Sequence, residues 1–203
     1  MLEINQFELM NHSEIILSIH NFILNSGDFA YIYGDNRSGK SLFLSCLGNC
    51  YPHYNGYLKL NHENVNDKHY STLIRLIRNE NIVLPDQGII ENIGLGHKNK
   101  LENNEDLIEL LTQFKMPFEK NIKCAMLSQS EQKSIELIRA YIQKPLMLLF
   151  DDLDNYFDSK HFEGIYNLLL KMKKNGTIII ATGKSQFNTE KQFIIQDKGL
   201  VLK

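Results

Sequence analysis

Eight consecutive residues, Gly34-Asp35-Asn36-Arg37-Ser38-Gly39-Lys40-Ser41, match the pattern G-x-x-x-x-G-K-[ST] at every fixed position. Each fixed residue has a chemical use. Glycines let backbone N–H groups curl around a phosphate, and the start of a helix adds its partial positive charge. A lysine at the seventh place reaches the β- and γ-phosphates of a nucleotide, and a hydroxyl at the eighth ligates Mg²⁺. The motif lies between an apolar run, Phe29 to Tyr33, and a helix expected to begin at Lys40. That is the strand-loop-helix context the pattern requires.

Two further clusters carry chemistry. Leu146 to Phe150 is an apolar run that ends in Asp151 and Asp152. Asp151 stands where a second Mg²⁺-organising acid is needed, at the carboxyl end of a buried strand. Leu127-Ser128-Gln129-Ser130-Glu131 precedes a helical pattern. Ser128 as N-cap with Glu131 three residues later makes a capping box, and a capped helix start also suits an anion.

The elements that position these residues follow from periodicity. Strands are expected over Ile15 to Leu24, Phe29 to Tyr33, Tyr57 to Leu60, Leu146 to Phe150, Thr177 to Ala181, Phe193 to Ile195 and Leu200 to Leu202. The runs at 146–150 and 177–181 are apolar without alternation, which marks strands covered on both faces. Asp197-Lys198-Gly199 reads as the turn between the last two strands. Helices are expected from Lys40, over about 130–143 and over about 160–174, with Gly176 helping to end the last. Alternating strands and helices imply an α/β fold with a mostly parallel sheet. A mostly helical insertion is expected over about 92–140, within a single domain spanning 1–203.

The order of phosphate loop, serine motif at a helix start, and apolar strand with paired acids resembles the ATP-binding-cassette (ABC) family of ATPases. Arg139-Ala140, Pro145, Asp151-Asp152 and Asp158 fall where that family carries its helix-end Arg-Ala, pre-strand Pro, paired acids and D-loop Asp. The segment Leu84 to Ile93 resembles the one after the family's Q-loop. The pattern is most similar to the cell-division ATP-binding protein FtsE and to lipid- and lipoprotein-transport ATPases. The resemblance implies a P-loop NTPase of ABC type, with N-terminal antiparallel strands and a helical subdomain. It implies ATP and Mg²⁺ as ligands, a membrane permease as partner, and a second ATP-binding subunit whose nucleotide Ser128 would meet in trans. It also implies a cytoplasmic protein, peripheral on the inner (cell) membrane.

The chain departs from the family at four places. The Q-loop glutamine falls on Asn79, and Gln129 and Ser130 replace the two signature glycines. Asp152 stands where a catalytic glutamate is usual, and Gly183, followed by Lys184, stands where a switch histidine is usual. No aromatic for adenine stacking is evident near Met10 to His12. Phosphoryl transfer depends on positioning and electrostatics. These losses together predict retained ATP binding with hydrolysis slow or absent.

Composition narrows the remaining choices. Of 203 residues, 22 are basic and 24 acidic, a formal net charge of −2. This gives no global attraction to nucleic acid or to an anionic membrane. No apolar run approaches the roughly 20 residues that span a bilayer. Cys46, Cys50 and Cys124 make no disulfide framework or metal cluster, and small buried cysteines are expected. Two rivals stay open: a P-loop small-molecule kinase, and a soluble ABC protein acting on nucleic acid or ribosomes.

Overall fold

The computed structural model describes residues 1–12, 14–65, 70, 72–96, 105–116, 122–156, 160–185 and 187–203. The chain divides into two compact units. The first holds Met1–Ile77, Pro145–Asn155 and Met172–Lys203, and the second Arg78–Lys144 and Tyr156–Lys171.

The first unit is built on one sheet. Its described strands are β1 (Leu2–Asn11), β2 (Glu14–Leu24), β3 (Phe29–Tyr33), β4 (Tyr54–Leu60), β5 (Glu63–Asn64), β6 (Ile74–Ile77), β7 (Met147–Phe150), β8 (Ile178–Gly183), β9 (Lys191–Gln196) and β10 (Gly199–Leu202). Their order across the sheet is β5-β4-β1-β2-β10-β9-β3-β8-β7-β6. β9, β3, β8, β7 and β6 pair in parallel, whereas β1, β2, β4 and β5 form an antiparallel wing. The non-alternating runs behave as expected: β7 and β8 are buried at every position. Helix α1 (Lys40–Leu47) packs on the wing, where the Phe43 ring meets Phe7 edge-on at 5.5 Å.

The expected strands all form, with bounds shifted by up to three residues. β1 was not among them. Its buried residues are Leu2, Ile4, Phe7 and Leu9, so the two-residue alternation slips by one in mid-strand. Gln6 has φ 48 there, and the pairing with β4 shifts register between Asn5 and Glu8. Such a bulge hides a strand from a period-two search. The expected final turn is present. Asp197 and Lys198 both have positive φ, 49 and 61, as a two-residue hairpin loop requires.

The second unit carries α2 (Ile89–Ile93), α3 (Glu105–Gln113), α4 (Gln129–Ile142) and most of α5 (Phe162–Lys174). It takes in more chain than the 92–140 span expected for a helical insertion, because residues 78–91 and the start of α5 belong to it. α5 ends as expected at Gly176, φ 90. The Gly176 N–H donates to Lys173 O, and the Thr177 N–H to Met172 O. One cysteine departs from expectation. Cys46 and Cys124 are buried, but α1 stops at Leu47, so Cys50 lies beyond it and is exposed.

Candidate functional site

The parallel register brings three sequence-distant segments to one edge of the sheet. Tyr33 of β3 pairs with Gly183 of β8, and Phe150 of β7 pairs with Ala181. β8 lies between β3 and β7. The residues that follow each strand therefore meet at the same edge: Gly34 after β3, Lys184 after β8, and Asp151-Asp152 after β7.

In the phosphate loop, Gly34, Gly39 and Lys40 are buried, Ser38 is half-buried, and Asp35, Asn36 and Arg37 form an exposed tip. Gly39 has φ 96, and a Cβ there would stand 2.9 Å from Ile16 Cγ2. Both the backbone and the space demand glycine. The first α-type bond runs from Phe43 N to Gly39 O, so the N–H groups of Lys40, Ser41 and Leu42 lie ahead of it and are available to an anion. Lys40 Nζ donates to Gly34 O and Asp35 O, both at 2.7 Å, and to Ser38 Oγ at 3.3 Å. The ammonium is thus held inside the curl of the loop. Burial lowers its pKa, and the carboxylates of Asp152, Asp151, Asp154 and Asp35 oppose that shift. Beside the loop runs a groove of about 690 Å³, lined among others by Asn11, Ile16, Arg37, Ile195 and Gln196. Among the described residues, no aromatic ring lines it. His12 is exposed and pairs through Nδ1 with Asn11 Oδ1 at 3.0 Å.

The paired acids are fixed differently. Asp151 is buried, and the Thr182 hydroxyl donates to its Oδ1 at 2.7 Å. Its Oδ2 has no protein partner among the described residues. Ser41, the other expected magnesium ligand, is exposed at the start of α1. A hydroxyl with one oriented carboxylate oxygen is a hard-oxygen donor pair, which fits a Mg²⁺ that draws its other ligands from phosphate and water. Asp152 is half-buried and left-handed, φ 51, and its N–H donates to Thr182 Oγ1 at 3.1 Å. Burial raises the Asp152 pKa, and the charges of Asp151 and Asp154 raise it further. Lys184 and Lys40 pull it back down.

Gly183 is buried, and a Cβ there would overlap the Tyr31 hydroxyl and stand 2.8 Å from Asp154 Cγ. Sequence reasoning missed Tyr31, Asp154 and Thr182, which act through register and leave no local pattern. Asp158 lies outside the described residues.

In the second unit, Ser128 caps α4 as expected. Its Oγ accepts from the Glu131 N–H at 3.4 Å, and the Glu131 carboxylate accepts from the Ser128 N–H at 2.8 Å and hydroxyl at 2.6 Å. Burial alone would raise the Glu131 pKa, but these bonds and the charges of Lys160 and His161 outweigh it and hold the carboxyl below its usual range. Gln129 and Ser130 form the first helical residues.

Asn79 is exposed, in a segment that α4 grips through polar side chains. The fully buried Lys133 donates to Arg78 O at 2.6 Å, Glu80 O at 3.1 Å and Glu136 Oε1 at 3.1 Å. Glu136 in turn accepts from the Ile82 N–H at 2.8 Å, and Asn81 reaches Gln129 O and Gln132. Further along, buried Asn92 fixes Leu84 through both backbone groups, and Arg139 reaches Ile82 O and Asn92 O.

The family model "ABC transporter" matches residues 17–155. The chain belongs to the ABC transporter family. It is 25% identical over 201 residues to the glutamine transport ATP-binding protein GlnQ of Geobacillus stearothermophilus, covering 92% of this chain and 83% of that one. It is 27% identical over 180 residues to the lipoprotein-releasing system ATP-binding protein LolD of Buchnera aphidicola, covering 82% and 79%. Among solved structures, the ATP-binding cassette MJ0796, dimeric in a post-hydrolysis state with ADP and Pi bound, superposes with a TM-score of 0.79 at 21% identity, over 98% of this chain and 96% of that one. The fold is that of an ABC ATP-binding domain, an α/β P-loop architecture.

Proposed function

We propose that this chain, over 1–203, is the ATP-binding subunit of an ABC-type membrane complex. It binds ATP firmly, turns it over slowly or not at all, and drives or regulates a separate permease. The observation that carries the reading is the sheet edge, where Lys40 lies inside a complete phosphate loop in the field of Asp151 and Asp152. Gly34, Asp35, Asn36, Arg37, Ser38, Gly39, Lys40 and Ser41 hold the phosphates, and Ser41 with Asp151 holds Mg²⁺. The metal, when bound, neutralises charge on the β- and γ-phosphate oxygens.

Slow turnover is supported at Asp152, at Gly183 and at the start of α4. The Asp152 carboxylate is one methylene short of glutamate, and its backbone is tied to Thr182. Gly183 brings no side chain. The hydroxyl and N–H of Ser128, the groups that would meet a partner's nucleotide in trans, are engaged by Glu131. Weak nucleotide-driven pairing of two copies follows, and a second, competent ATP-binding subunit is the preferred partner. Nucleic acid is not an expected partner.

Docking on a permease is supported by the segment after Asn79. Ile82 is 54% exposed and Leu84 is 46% exposed, while their backbones are anchored by Glu136, Arg139 and Asn92. A rigid strip with exposed apolar side chains suits a protein partner. No helix among the described residues is long and apolar enough to cross a membrane. Co-sedimentation of the full chain with native membranes tests this, comparing wild type with Leu84→Glu. The expected result is that wild type sediments and the variant is released, with ATP affinity and melting temperature unchanged. Failure of wild type to sediment would overturn the membrane reading, and equal sedimentation would move the docking site elsewhere.

A further inference from the structure

The end of β8 lies between the phosphate loop and the paired acids, yet its last residue, Gly183, carries no side chain toward them. That gap is enforced. Tyr31 is fully buried, its hydroxyl has no hydrogen-bond partner among the described residues, and it fills the space a Cβ at 183 would take. Asp154 closes the other side at 2.9 Å through Oδ1, which is also buried and has no partner among the described residues. A histidine at 183 would have to displace both groups.

The next residue is held in register by the same carboxylate. Asp154 Oδ2 accepts from the Lys184 N–H at 2.6 Å, from the Ser185 N–H at 3.3 Å and from the Ser185 hydroxyl at 3.5 Å. The Lys184 backbone is thereby latched one residue beyond the pairing of Tyr33 with Gly183, level with Gly34. Its side chain is exposed, and its ammonium makes no hydrogen bond or ion pair among the described residues. It is close enough to Asp152 for its charge to act on that carboxyl, as does Lys40 from the loop.

We propose that Lys184 binds the terminal phosphate of the nucleotide, replacing a contact that residue 183 cannot make. Tyr31 and Asp154 act as positioning residues that keep 183 bare and aim 184. Two ammonium groups, Lys40 at the start of α1 and Lys184 just after β8, then face the terminal phosphate, which favours a triphosphate over a diphosphate. The idea rests on the ATP-binding reading of this edge and deepens it.

The test is the ratio of affinities for a non-hydrolysable Mg²⁺-ATP analogue and for Mg²⁺-ADP, by titration of the full-length wild type, Lys184→Ala and Lys184→Arg. A charge-assisted contact predicts that Lys184→Ala weakens the ATP analogue about tenfold while leaving ADP within about twofold. Lys184→Arg keeps most of the preference. Gly183→His is expected to lower the melting temperature without raising the preference for ATP. An unchanged ratio in Lys184→Ala overturns the proposal and leaves ATP binding intact. Wild type that binds neither nucleotide overturns both.

Discussion

The sheet edge of the first unit and the α4 face of the second are both polar constellations, but they are assembled by opposite means. At the edge, glycines and helix-start N–H groups do the work, and Lys40 bonds to carbonyls five and six residues away. On α4, side chains do the work. Lys133, Glu136 and Arg139 reach backbone groups of Arg78, Glu80 and Ile82 more than fifty residues distant. A backbone device tolerates variation around it so long as its glycines and lysine remain. A side-chain network depends instead on each of its long-range partners staying in place. The contrast accounts for the proposed combination of retained nucleotide binding and slow hydrolysis.

The largest expected difference between the two regions lies in turnover. In a steady-state phosphate-release assay, the isolated protein should run at least about a hundredfold below the enzyme median of about 10 s⁻¹. Turnover near that median would mean that Asp152 and Lys184 compensate fully, and the contrast would collapse.

A smaller effect separates the regions by stability. Lys133→Met leaves Glu136 buried without its cation, which costs about 3–5 kcal/mol. Chemical denaturation should show that loss, while the fraction that stays folded should bind ATP as wild type does, because the phosphate loop belongs to the other unit. Reduced ATP affinity in the folded fraction would show that the two regions are not separable.

The smallest effect concerns pH. The Asp152 pKa is raised by burial and by Asp151 and Asp154, so the native chain binds this proton more tightly than the unfolded one. Ionised Asp152 therefore destabilises the fold above its native pKa, and the penalty disappears as pH falls through the native value toward the unfolded one, about 3.9. Asp152→Asn keeps the tolerance for φ 51. The variant should raise the melting temperature at neutral pH by no more than about 2–4 °C, since solvent screens a half-buried group. The gain should vanish in acid. A variant that melts lower at neutral pH would show that the Asp152 charge is well compensated by Lys40 and Lys184.

What the sequence revealed follows the same division. The phosphate loop, the capping box at Ser128 and Glu131, the hairpin turn at Asp197-Lys198 and the cap at Gly176 are local, so residue type and spacing suffice to find them. β1 was hidden by the bulge at Gln6, which breaks its alternation. Tyr31 and Asp154 around Gly183, and Thr182 on Asp151, depend on which strands lie side by side, which no local window carries. Lys133 and Asn92 look like ordinary polar residues of helices until burial shows that their partners are carbonyls far along the chain. The four departures from the family pattern were visible as letters. What replaced them was visible only in three dimensions.

The central claim is that the phosphate loop around Lys40 binds ATP regardless of what has changed elsewhere. Titration of a fluorescent ATP analogue, with Mg²⁺, into wild type and Lys40→Ala tests it most directly. The account predicts micromolar binding to wild type and an affinity about 10–100-fold lower for the variant, the scale set by losing a charge-assisted contact to phosphate. Equal affinity in the two proteins would contradict it.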